Sequence, residues 1–429
     1  MNKSAFILYY TKENRYSFNA LIGALESFDT HKYVDVFFLN PKKDDDTIID
    51  NCLLNYQRVV LGFSFFTTQI WDVYKVVLHL RKKYNDLITL VAGGPHPTGE
   101  PKSVLDYGFD YVFVGEGEES INEFFIALAT CKNGLNVPGV YRKMDCGEIW
   151  YEPRENTVDL DKYLPFSEKY RRFGPIEITR GCPYACNFCQ TTQIFGCNVR
   201  HRSISAIEKS LEILKRNNLK DFRAITPNAL AYGSQDGRSI NLNAISELLV
   251  TIKRILPEGR IFLGSFPSEV RPEHVSEESM RLLCEYVSND NIILGAQTGS
   301  QRLLDHTHRG HTVADVYNAV EICLQHNMQP NVDFMFGLPG ENSDDICKSI
   351  MVMNDLIEMG ARIHAHTFMP LPQTPFAYKG RGKISDEMRQ YIKRNVYQGV
   401  IYGDWAEQAK LSQKIDKLLK TKRVDIIDT

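Results

Sequence analysis

Short apolar runs alternate with stretches of helical periodicity along most of this chain of 429 residues. Over residues 1–135 the alternation is typical of a doubly wound parallel sheet in an α/β, Rossmann-like domain. The predicted strands are Phe6–Tyr10, Tyr33–Leu39, Arg58–Phe63, Ile88–Ala92 and Tyr111–Val114, and the predicted helices are Ser17–Glu26, Thr68–Tyr84 and Ser120–Thr130. Ligands of such sheets bind beyond the carboxyl ends of the strands, so we expect a binding site there.

A second alternation of strands and helices spans residues 173–376. Its predicted strands are Ile176–Thr179, Asp221–Thr226, Arg260–Gly264, Ile292–Ala296, Asn331–Phe336 and Arg362–Phe368. Residues 136–172 between the two alternations are rich in Pro, Asp and Lys, which predicts a linker with a short hairpin. Residues 377–429 predict a C-terminal helical segment, with amphipathic helices near Ser385–Tyr402 and Asp404–Lys420.

The composition excludes two classes of partner. The net charge of −3 gives no global basic field, so nucleic acid is not an expected ligand. No apolar stretch approaches the roughly 20 residues that span a bilayer, and the short apolar run near the start is interpreted as a strand and not as a signal peptide. A soluble, cytoplasmic protein is therefore expected.

Three cysteines, Cys182, Cys186 and Cys189, stand in a C-x3-C-x2-C spacing directly after a predicted strand. A [4Fe–4S] cluster needs four ligands, and electron-transfer ferredoxins supply all of them from cysteine, so three would leave one iron open. A zinc site completed by Cys197 is the alternative, although zinc sites usually pair C-x2-C units. The other cysteines are scattered among apolar residues, which predicts reduced thiols without a disulfide framework.

The cysteine spacing, the preceding strand and Phe188 before the last cysteine resemble the radical S-adenosylmethionine (radical SAM) enzymes. In that superfamily the open iron binds the amino and carboxyl groups of S-adenosylmethionine, whose reductive cleavage gives methionine and a 5′-deoxyadenosyl radical. The resemblance implies that residues 173–376 form a partial (β/α)6 barrel, open on one side for a large substrate.

The same resemblance implies S-adenosylmethionine contacts at the ends of the barrel strands. Asn228, after the second strand, is the candidate for the amino group, although the Gly-Gly-Glu pattern common in the family is absent there. Arg271 suits the carboxylate because a guanidinium binds it with two hydrogen bonds. The remaining candidates are Ser265, Ser268, Glu269, Gln297, Arg309 and Gly337, the last in a glycine turn that resembles the adenine contact.

Glycine-rich and hydroxyl-bearing loops follow three strands of the first domain. The candidate ligand contacts in them are Ser64, Phe65, Phe66, Thr67 and Thr68, then Gly93, Gly94 and Pro95, then Gly115, Glu116 and Gly117. Glycines let the backbone approach a bulky ligand, and hydroxyls suit a polar tail. The first strand is not followed by Gly-x-Gly-x-x-Gly, so a nicotinamide cofactor is not expected.

This loop set resembles the cobalamin-binding domain that precedes many radical SAM domains. The Asp-x-His-x-x-Gly loop of mutases is absent, so the predicted cobalamin is base-off and His-off, with Phe65–Gln69 near its lower face. His96 lies in a different loop and is not the expected axial ligand. The alternative is a Rossmann-like domain that has lost its cofactor and uses these glycines only as turns.

Together the two domains resemble the class B radical SAM methyltransferases. The resemblance implies hydrogen abstraction from an unactivated sp³ carbon and a methyl group supplied by methylcobalamin. Tyr232, after the second barrel strand, is the candidate catalytic residue for a deprotonation or a cobalt-side contact. Three strings, PNALAYGS (227–234), GSFPSEVRPE (264–273) and VAGGPHPTGE (91–100), resemble an archaeal branch that methylates the α-carbon of a glutamine in methyl-coenzyme M reductase.

The expected partners are a protein or peptide substrate, with the α subunit of methyl-coenzyme M reductase as the candidate, and an electron donor such as ferredoxin or flavodoxin. Two alternatives remain. One is a cobalamin-dependent radical SAM enzyme that forms a ring or rearranges its substrate without methyl transfer, and the other is a non-catalytic cobalamin-binding sensor.

Overall fold

The computed structural model describes residues 3–42, 46–130, 135–381 and 383–424. The chain forms two compact units, one made of Met1–Gly174 with the segment from Thr421, and one made of Pro175–Lys420. In the part of the chain that is described, no helix has both the length and the apolar character needed to cross a membrane.

The first unit is a seven-stranded sheet with helices packed on it. Its strands are β1 (Ser4–Tyr9), β2 (Val34–Leu39), β3 (Val59–Ser64), β4 (Thr89–Gly93), β5 (Tyr111–Phe113), β6 (Val140–Lys143) and β7 (Ile149–Trp150). Its helices are α1 (Arg15–Ser27), α2 (Thr47–Asn55), α3 (Ile70–Tyr84), α4 (Pro95–Gly99), α5 (Pro101–Asp106) and α6 (Glu118–Thr130). The strand order is β2-β1-β3-β4-β5-β6-β7, and β1 to β5 are parallel.

All five strands predicted for the first domain are present. Each strand is a run of apolar residues because the sheet is covered on both faces. The short hairpin predicted within residues 136–172 is formed by β6 and β7. There, β6 pairs antiparallel with β5 and β7 with β6, so the hairpin extends the sheet. Val137 and Val140 lie in the same apolar core as Phe6 and Phe124. Burial of these side chains binds the segment to the first unit.

The second unit contains nine short strands, and nine helices follow or cover them among the described residues. The strands are β8 (Ile176–Glu177), β9 (Thr179–Arg180), β10 (Arg200–His201), β11 (Phe222–Ile225), β12 (Ile261–Phe262), β13 (Asn291–Gln297), β14 (Gln329–Phe336), β15 (Arg362–Thr367) and β16 (Ile401–Tyr402). The helices are α7 (Thr191–Phe195), α8 (Ile204–Arg216), α9 (Leu242–Ile255), α10 (Glu277–Tyr286), α11 (Gln301–His306), α12 (Val313–Gln325), α13 (Ser343–Met359), α14 (Asp386–Tyr397) and α15 (Trp405–Thr421).

These strands form a partial parallel barrel. One ladder runs β12-β11-β8 and another runs β13-β14-β15-β16, and a parallel bridge between Val270 and Leu294 joins them. All six predicted barrel strands are present. The structure adds a seventh, because the helix predicted at Ser385–Tyr402 ends at Tyr397 and Ile401 then pairs with Ile363 of β15. Gly399, at φ +78°, breaks the helix and lets the buried Ile401 join the sheet.

Candidate active site

The cysteine loop leaves β9 through a turn that requires glycine. Gly181 has φ +89°, and a Cβ atom on it would lie 2.3 Å from the carbonyl oxygen of Asn198. The backbone N–H of Cys182 donates to the carbonyl of Gly196 at 3.1 Å, and that of Cys189 donates to the carbonyl of Cys186 at 2.9 Å. These bonds fix the three thiols on one short loop.

Asn187 fastens this loop to the barrel. Its backbone N–H donates to the carbonyl of Thr307 at 3.0 Å, and its Nδ2 donates to the carbonyl of His306 at 2.7 Å. Its own carbonyl accepts from the N–H of Phe376 at 3.0 Å. The side chain of Gln190 adds a bond from Nε2 to the carbonyl of Pro372 at 3.0 Å. The loop is therefore held at the carboxyl end of the barrel strands, where parallel α/β folds place their chemistry.

The thiol arrangement fits an iron–sulfur cluster better than a single zinc ion. The sulfurs around one tetrahedral zinc lie about 3.8 Å apart, given Zn–S bonds of about 2.3 Å. Among the described residues the cysteines form no group of three ligand atoms within 4.8 Å, and Cys197 is exposed. Burial raises the pKa of the Cys182 and Cys189 thiols, and the neighbouring cysteines raise it further, so a bound metal group must hold them as thiolates.

Arg309 brings a positive charge to the cysteine loop. It is buried, and its Nη1 lies 3.8 Å from the sulfur of Cys186. Its Nε and Nη2 donate to the carbonyl of Gly295 at 3.2 and 2.7 Å. Only glycine allows this close approach, because a Cβ atom on Gly295 would lie 2.2 Å from Nη2. Burial opposes the charged guanidinium, but Cys186 and Glu269 hold the pKa of Arg309 above its usual value. A permanent cation thus stabilises negative charge at the thiolates.

Two of the predicted S-adenosylmethionine contacts, Arg271 and Asn228, bond to other residues of the chain, and their roles toward a ligand stay predictions. The Nε of Arg271 donates to Glu273 Oε1 at 2.6 Å, and its guanidinium lies 3.3 Å from the centre of the Tyr184 ring and donates to the carbonyl of Arg309. Asn228 Nδ2 lies 2.8 Å from His274 Nδ1. The sequence reasoning missed Tyr184 and His274, although Tyr184 lies inside the cysteine motif. Their contacts make Arg271 and Asn228 supports of the loop.

The other predicted contacts differ in what they offer a ligand. Ser268 Oγ accepts from the N–H of Gly264 and donates to the carbonyl of Ser265, which closes the turn after β12. Gln297, at φ +75°, is buried at the end of β13. Glu269 is different, because its carboxylate makes no hydrogen bond or ion pair to the described part of the chain. Its pKa is raised by burial, and Arg309, Asp333, Arg271 and His366 interact with it electrostatically. Glu269 is thus available to a ligand.

The hydroxyl of Tyr232, the predicted catalytic residue, is bonded to the chain, and the catalytic role stays a prediction. Its side chain is buried, its ring packs edge-on against His201, and its hydroxyl donates to the carbonyl of Arg202 at 2.8 Å. A hydroxyl that satisfies a buried carbonyl is not free to take or give a proton without exposing that carbonyl.

Glu341, in the turn that begins at Gly337, should make stability depend on pH. Burial raises the pKa of Glu341 to about 7, although its carboxylate accepts the N–H of Gly337 at 2.9 Å. The folded chain therefore binds this proton more tightly than the unfolded chain, and the stabilisation is present below the ordinary pKa of about 4.5 and lost as the pH rises to about 7. We expect Glu341→Gln to remove this part of the pH dependence of the unfolding midpoint.

The control for this measurement is Glu258→Gln, which changes an exposed carboxylate paired with Lys220 at 2.8 Å. Its pKa is lowered by the bond to Lys220, so it titrates below the window in question. Midpoint curves of the wild type and Glu341→Gln that stay parallel between pH 4.5 and 7 would contradict the assignment.

In the first unit, the loops after β3, β4 and β5 meet at the carboxyl edge of the sheet. The N–H of Phe65 donates to the carbonyl of Gly93, and the N–H of His96 donates to the carbonyl of Phe65, both at 3.2 Å. The N–H of Gly115 donates to Thr98 Oγ1 at 3.1 Å. Gly94 has φ +95°, and a Cβ atom on it would lie 2.9 Å from Ser64 Oγ. The structure thus brings the three predicted loops together, while their roles as ligand contacts stay predictions.

The side chains of these loops differ in exposure. Ser64, Phe65 and Thr67 are buried, Thr68 is half-buried, and Phe66 is 45 % exposed. Pro95 is the first residue of α4. Glu116 accepts the N–H of Val158 at 2.7 Å, and a Cβ atom on Gly117 would lie 2.9 Å from Leu21. Exposed Phe66 and the hydroxyl groups leave an edge with both apolar and polar contacts for a large ligand.

His96 provides an observation that fits a bound cofactor here. It is 1 % exposed, and its Nδ1 lies 3.1 Å from Thr67 Oγ1. Its Nε2 is buried without a hydrogen-bond partner among the described atoms, and burial lowers the pKa of His96 to about 3. Buried polar atoms normally have a hydrogen-bond partner, so His96 Nε2 is positioned to bond to a polar group of a ligand bound at this edge.

Two family models match the chain, one in each unit. The model described as the radical SAM superfamily matches residues 176–352, and the B12 binding domain model matches residues 16–125. The cysteine loop lies within the first match and the three strand-edge loops lie within the second.

Relatives and solved structures share this organisation. An uncharacterized methyltransferase of Pyrococcus horikoshii is 23 % identical over 328 residues, which cover 73 % of this chain and 68 % of that protein. The radical S-adenosylmethionine methyltransferase TsrM from Kitasatospora setae, solved with tryptophan and a SAM analog, shares the fold with a TM-score of 0.69 at 17 % identity, over 88 % of this chain and 76 % of that one. The cobalamin-dependent enzyme OxsB matches with a TM-score of 0.64 at 16 % identity, over 82 % and 52 %. In this chain a match to the B12 binding domain model thus precedes a match to the radical SAM superfamily model, in a fold shared with TsrM and OxsB.

Proposed function

We propose that this protein is a C-methyltransferase that acts on an unactivated sp³ carbon, and that its substrate is the α-carbon of a glutamine in methyl-coenzyme M reductase. The methyl-transfer part of the proposal is supported by the three-cysteine loop, which would leave one iron of a cluster for S-adenosylmethionine. The same chain matches the B12 binding domain model over the three loops after β3, β4 and β5. The names of the Pyrococcus relative and of TsrM, both methyltransferases, support it.

Cys182, Cys186 and Cys189 would hold the cluster, and the loops after β3, β4 and β5 would hold the cobalamin. When bound, these groups and S-adenosylmethionine supply the electron, the hydrogen-abstracting radical and the methyl group. Arg309 offsets the negative charge of the thiolates, and its fixed bonds to the carbonyl of Gly295 keep it in place. Glu269 is the carboxylate left to bind S-adenosylmethionine or substrate, because the described chain gives it no hydrogen bond.

The substrate part of the proposal rests on the resemblance of three sequence strings, residues 91–100, 227–234 and 264–273, to the archaeal glutamine methyltransferase branch. A protein substrate would be met as an extended or unfolded segment, since a barrel mouth admits a peptide but not a folded subunit. Ferredoxin or flavodoxin is the class of donor proposed for the electron.

The test uses a peptide that spans the glutamine and carries deuterium at its α-carbon, with the reconstituted enzyme, hydroxocobalamin, reductant and S-adenosylmethionine labelled in its methyl group. Hydroxocobalamin brings no methyl group, so any methyl group transferred must come from S-adenosylmethionine. We expect the labelled methyl group on that residue and deuterium in the 5′-deoxyadenosine that is released. A matched peptide with alanine in place of the glutamine should stay unmodified. Deuterium transfer without methylation would instead favour a cyclase or rearrangement enzyme.

The sensor alternative makes a separate prediction. A cobalamin-binding sensor with an inert barrel would release no 5′-deoxyadenosine under any of these conditions, with or without a peptide. Release of 5′-deoxyadenosine without modification of the glutamine peptide would keep the radical chemistry and reject the glutamine as substrate.

A further inference from the structure

A second cluster of metal-ligating side chains, none of them from the cysteine loop, lies on two strands of the barrel. Asp333 on β14 lies directly opposite His364 on the parallel neighbour β15, and His366 follows two residues later. Side chains alternate between the faces of a strand, so positions two apart share a face and opposite positions are adjacent. The register therefore brings one carboxylate and two imidazoles to one point.

This point belongs to the barrel interior. Ile363, Ala365 and Thr367, which alternate with the two histidines on β15, are buried against the other side of the sheet. Met335, two residues after Asp333 and on the same face of β14, packs against the apolar cluster that also receives Phe188 of the cysteine loop. The carboxylate of Glu269 interacts electrostatically with both Asp333 and His366.

The distances are those of ligands around one ion. Asp333 Oδ1 lies 3.0 Å from His364 Nδ1, His364 Nδ1 lies 3.0 Å from His366 Nε2, and His366 Nε2 lies 3.7 Å from Asp333 Oδ1. Two ligands each about 2.1 Å from a metal lie about 3.0 Å apart at a right angle and about 3.4 Å apart at a tetrahedral angle. Two histidines and one carboxylate on one face are a known ligand set for divalent transition metals.

Hydrogen bonds alone satisfy this cluster poorly. His364 Nδ1 faces both Asp333 and His366, but the ring nitrogen carries either one proton or one lone pair. If His364 Nδ1 carries a proton, it can make a well-aligned hydrogen bond to only one of these two partners. If it carries a lone pair instead, that lone pair faces the carboxylate oxygen of Asp333, which repels it. A cation accepts electron pairs from all three atoms at once.

The C-terminal strand and helix hold both imidazoles in place. The ring of His364 stacks on Tyr402 of β16, with centres 4.7 Å apart and planes 9° apart. The side-chain amide of Gln408 on α15 lies 3.4 Å from His366 Nδ1, and its Oε1 accepts the N–H of Thr367 at 2.8 Å. Support of this kind fixes the orientation of metal ligands.

We propose that Asp333, His364 and His366 form a second metal site, which takes one divalent transition-metal ion through one carboxylate oxygen and two imidazole nitrogens. Three protein ligands leave coordination positions for water or for an oxygen of the substrate. Its three ligands are not among the residues proposed to hold the cluster or the cobalamin, so the site would be a third inorganic centre of the enzyme.

The test measures zinc, iron and cobalt per chain in the full enzyme with cluster and cobalamin loaded, after equilibration with one equivalent of Zn²⁺ without oxygen. We expect about one zinc per chain in the wild type, and close to none in Asp333→Asn and in His366→Ala with iron and cobalt unchanged. Gln408→Ala should weaken zinc binding by about 10- to 100-fold. The matched control is His326→Ala, which removes a surface histidine paired with Glu277 at 3.0 Å and should leave zinc unchanged.

Zinc X-ray absorption identifies the ligands and excludes binding to cysteines that lack a cluster. The proposal requires nitrogen and oxygen neighbours at about 2.0–2.2 Å and no sulfur at about 2.3 Å. Sulfur ligands, or zinc that persists in both Asp333→Asn and His366→Ala, would overturn it. So would a wild type that holds no stoichiometric zinc after this equilibration. Iron and cobalt counts at the wild-type level show that each variant is folded.

Discussion

Cys189→Ala is expected to abolish the iron–sulfur absorption and to reduce S-adenosylmethionine cleavage to the background of cluster-free protein. The loop supplies only three thiolates, so a cluster that loses one is left with two protein ligands. The sulfur of Cys189 lies 3.3 Å from Thr191 Oγ1 and 3.4 Å from the N–H of Thr191, contacts that orient a thiolate. The measurements are iron and sulfide content and the yield of 5′-deoxyadenosine after reduction.

Cys197→Ala is the matched control, because Cys197 is exposed and lies eight positions beyond Cys189 on the same segment. It should keep wild-type iron content and cleavage. Loss of metal in Cys197→Ala equal to that in Cys189→Ala would instead support a site of four cysteines and contradict the open-iron account. Cobalamin binding should be unchanged in both variants, since its proposed contacts belong to the first unit.

Gly94→Ala is expected to weaken cobalamin binding by about tenfold or more while leaving iron content unchanged. The backbone of Gly94, at φ +95° and ψ −174°, is in a region that essentially only glycine adopts, and occupying it with another residue costs about 1–3 kcal/mol. A Cβ atom there would also lie 2.9 Å from Ser64 Oγ and 3.0 Å from the nitrogen of Phe65. The alanine variant must either shift the loop after β4 or keep the strained backbone, and either change disturbs the loops proposed to bind cobalamin.

Gly147→Ala is the matched control, because it places alanine at a positive φ without crowding the proposed cobalamin site. Gly147 also has positive φ, at +85°, but nothing lies within 4 Å of a Cβ atom on it, and it stands in the hairpin between β6 and β7. It should bind cobalamin as the wild type does, measured by equilibrium titration with hydroxocobalamin. Wild-type affinity in Gly94→Ala would contradict the placement of cobalamin at this edge.

The strand–helix alternation of the sequence predicted both α/β units because burial on both faces makes each parallel strand a run of apolar residues. Short strands that depend on a distant partner were harder to predict. Ile401–Tyr402 has no periodicity of its own, and it is a strand because β15 offers an edge to pair with. The hairpin that contains Val140–Lys143 was predicted, but its pairing with β5 was not. Local pattern cannot reveal such pairing, which is decided by tertiary contacts.

The residues of the candidate site likewise include some that the sequence predicts and others that only the fold reveals. The cysteine spacing is local and could be recognised from the sequence, as could the glycines at the strand ends. Arg271 and Tyr232 were predicted from their side chains and their places after strands, but only the fold reveals that Arg271 bonds to Glu273 and Tyr232 to the carbonyl of Arg202. Asp333 and His366 are 33 positions apart in sequence, and only the register of β14 with β15 reveals that they meet.

The central claim is that one chain carries both a cluster and cobalamin, and counting both metals tests it most directly. The protein is purified without oxygen in the presence of hydroxocobalamin, and iron, sulfide and cobalt are measured with the visible spectrum. The account predicts about four irons and one cobalt per chain, with a base-off cobalamin spectrum. Iron without cobalt would contradict it, because the three loops of the first unit would then have another ligand and methylcobalamin could not be the source of the methyl group.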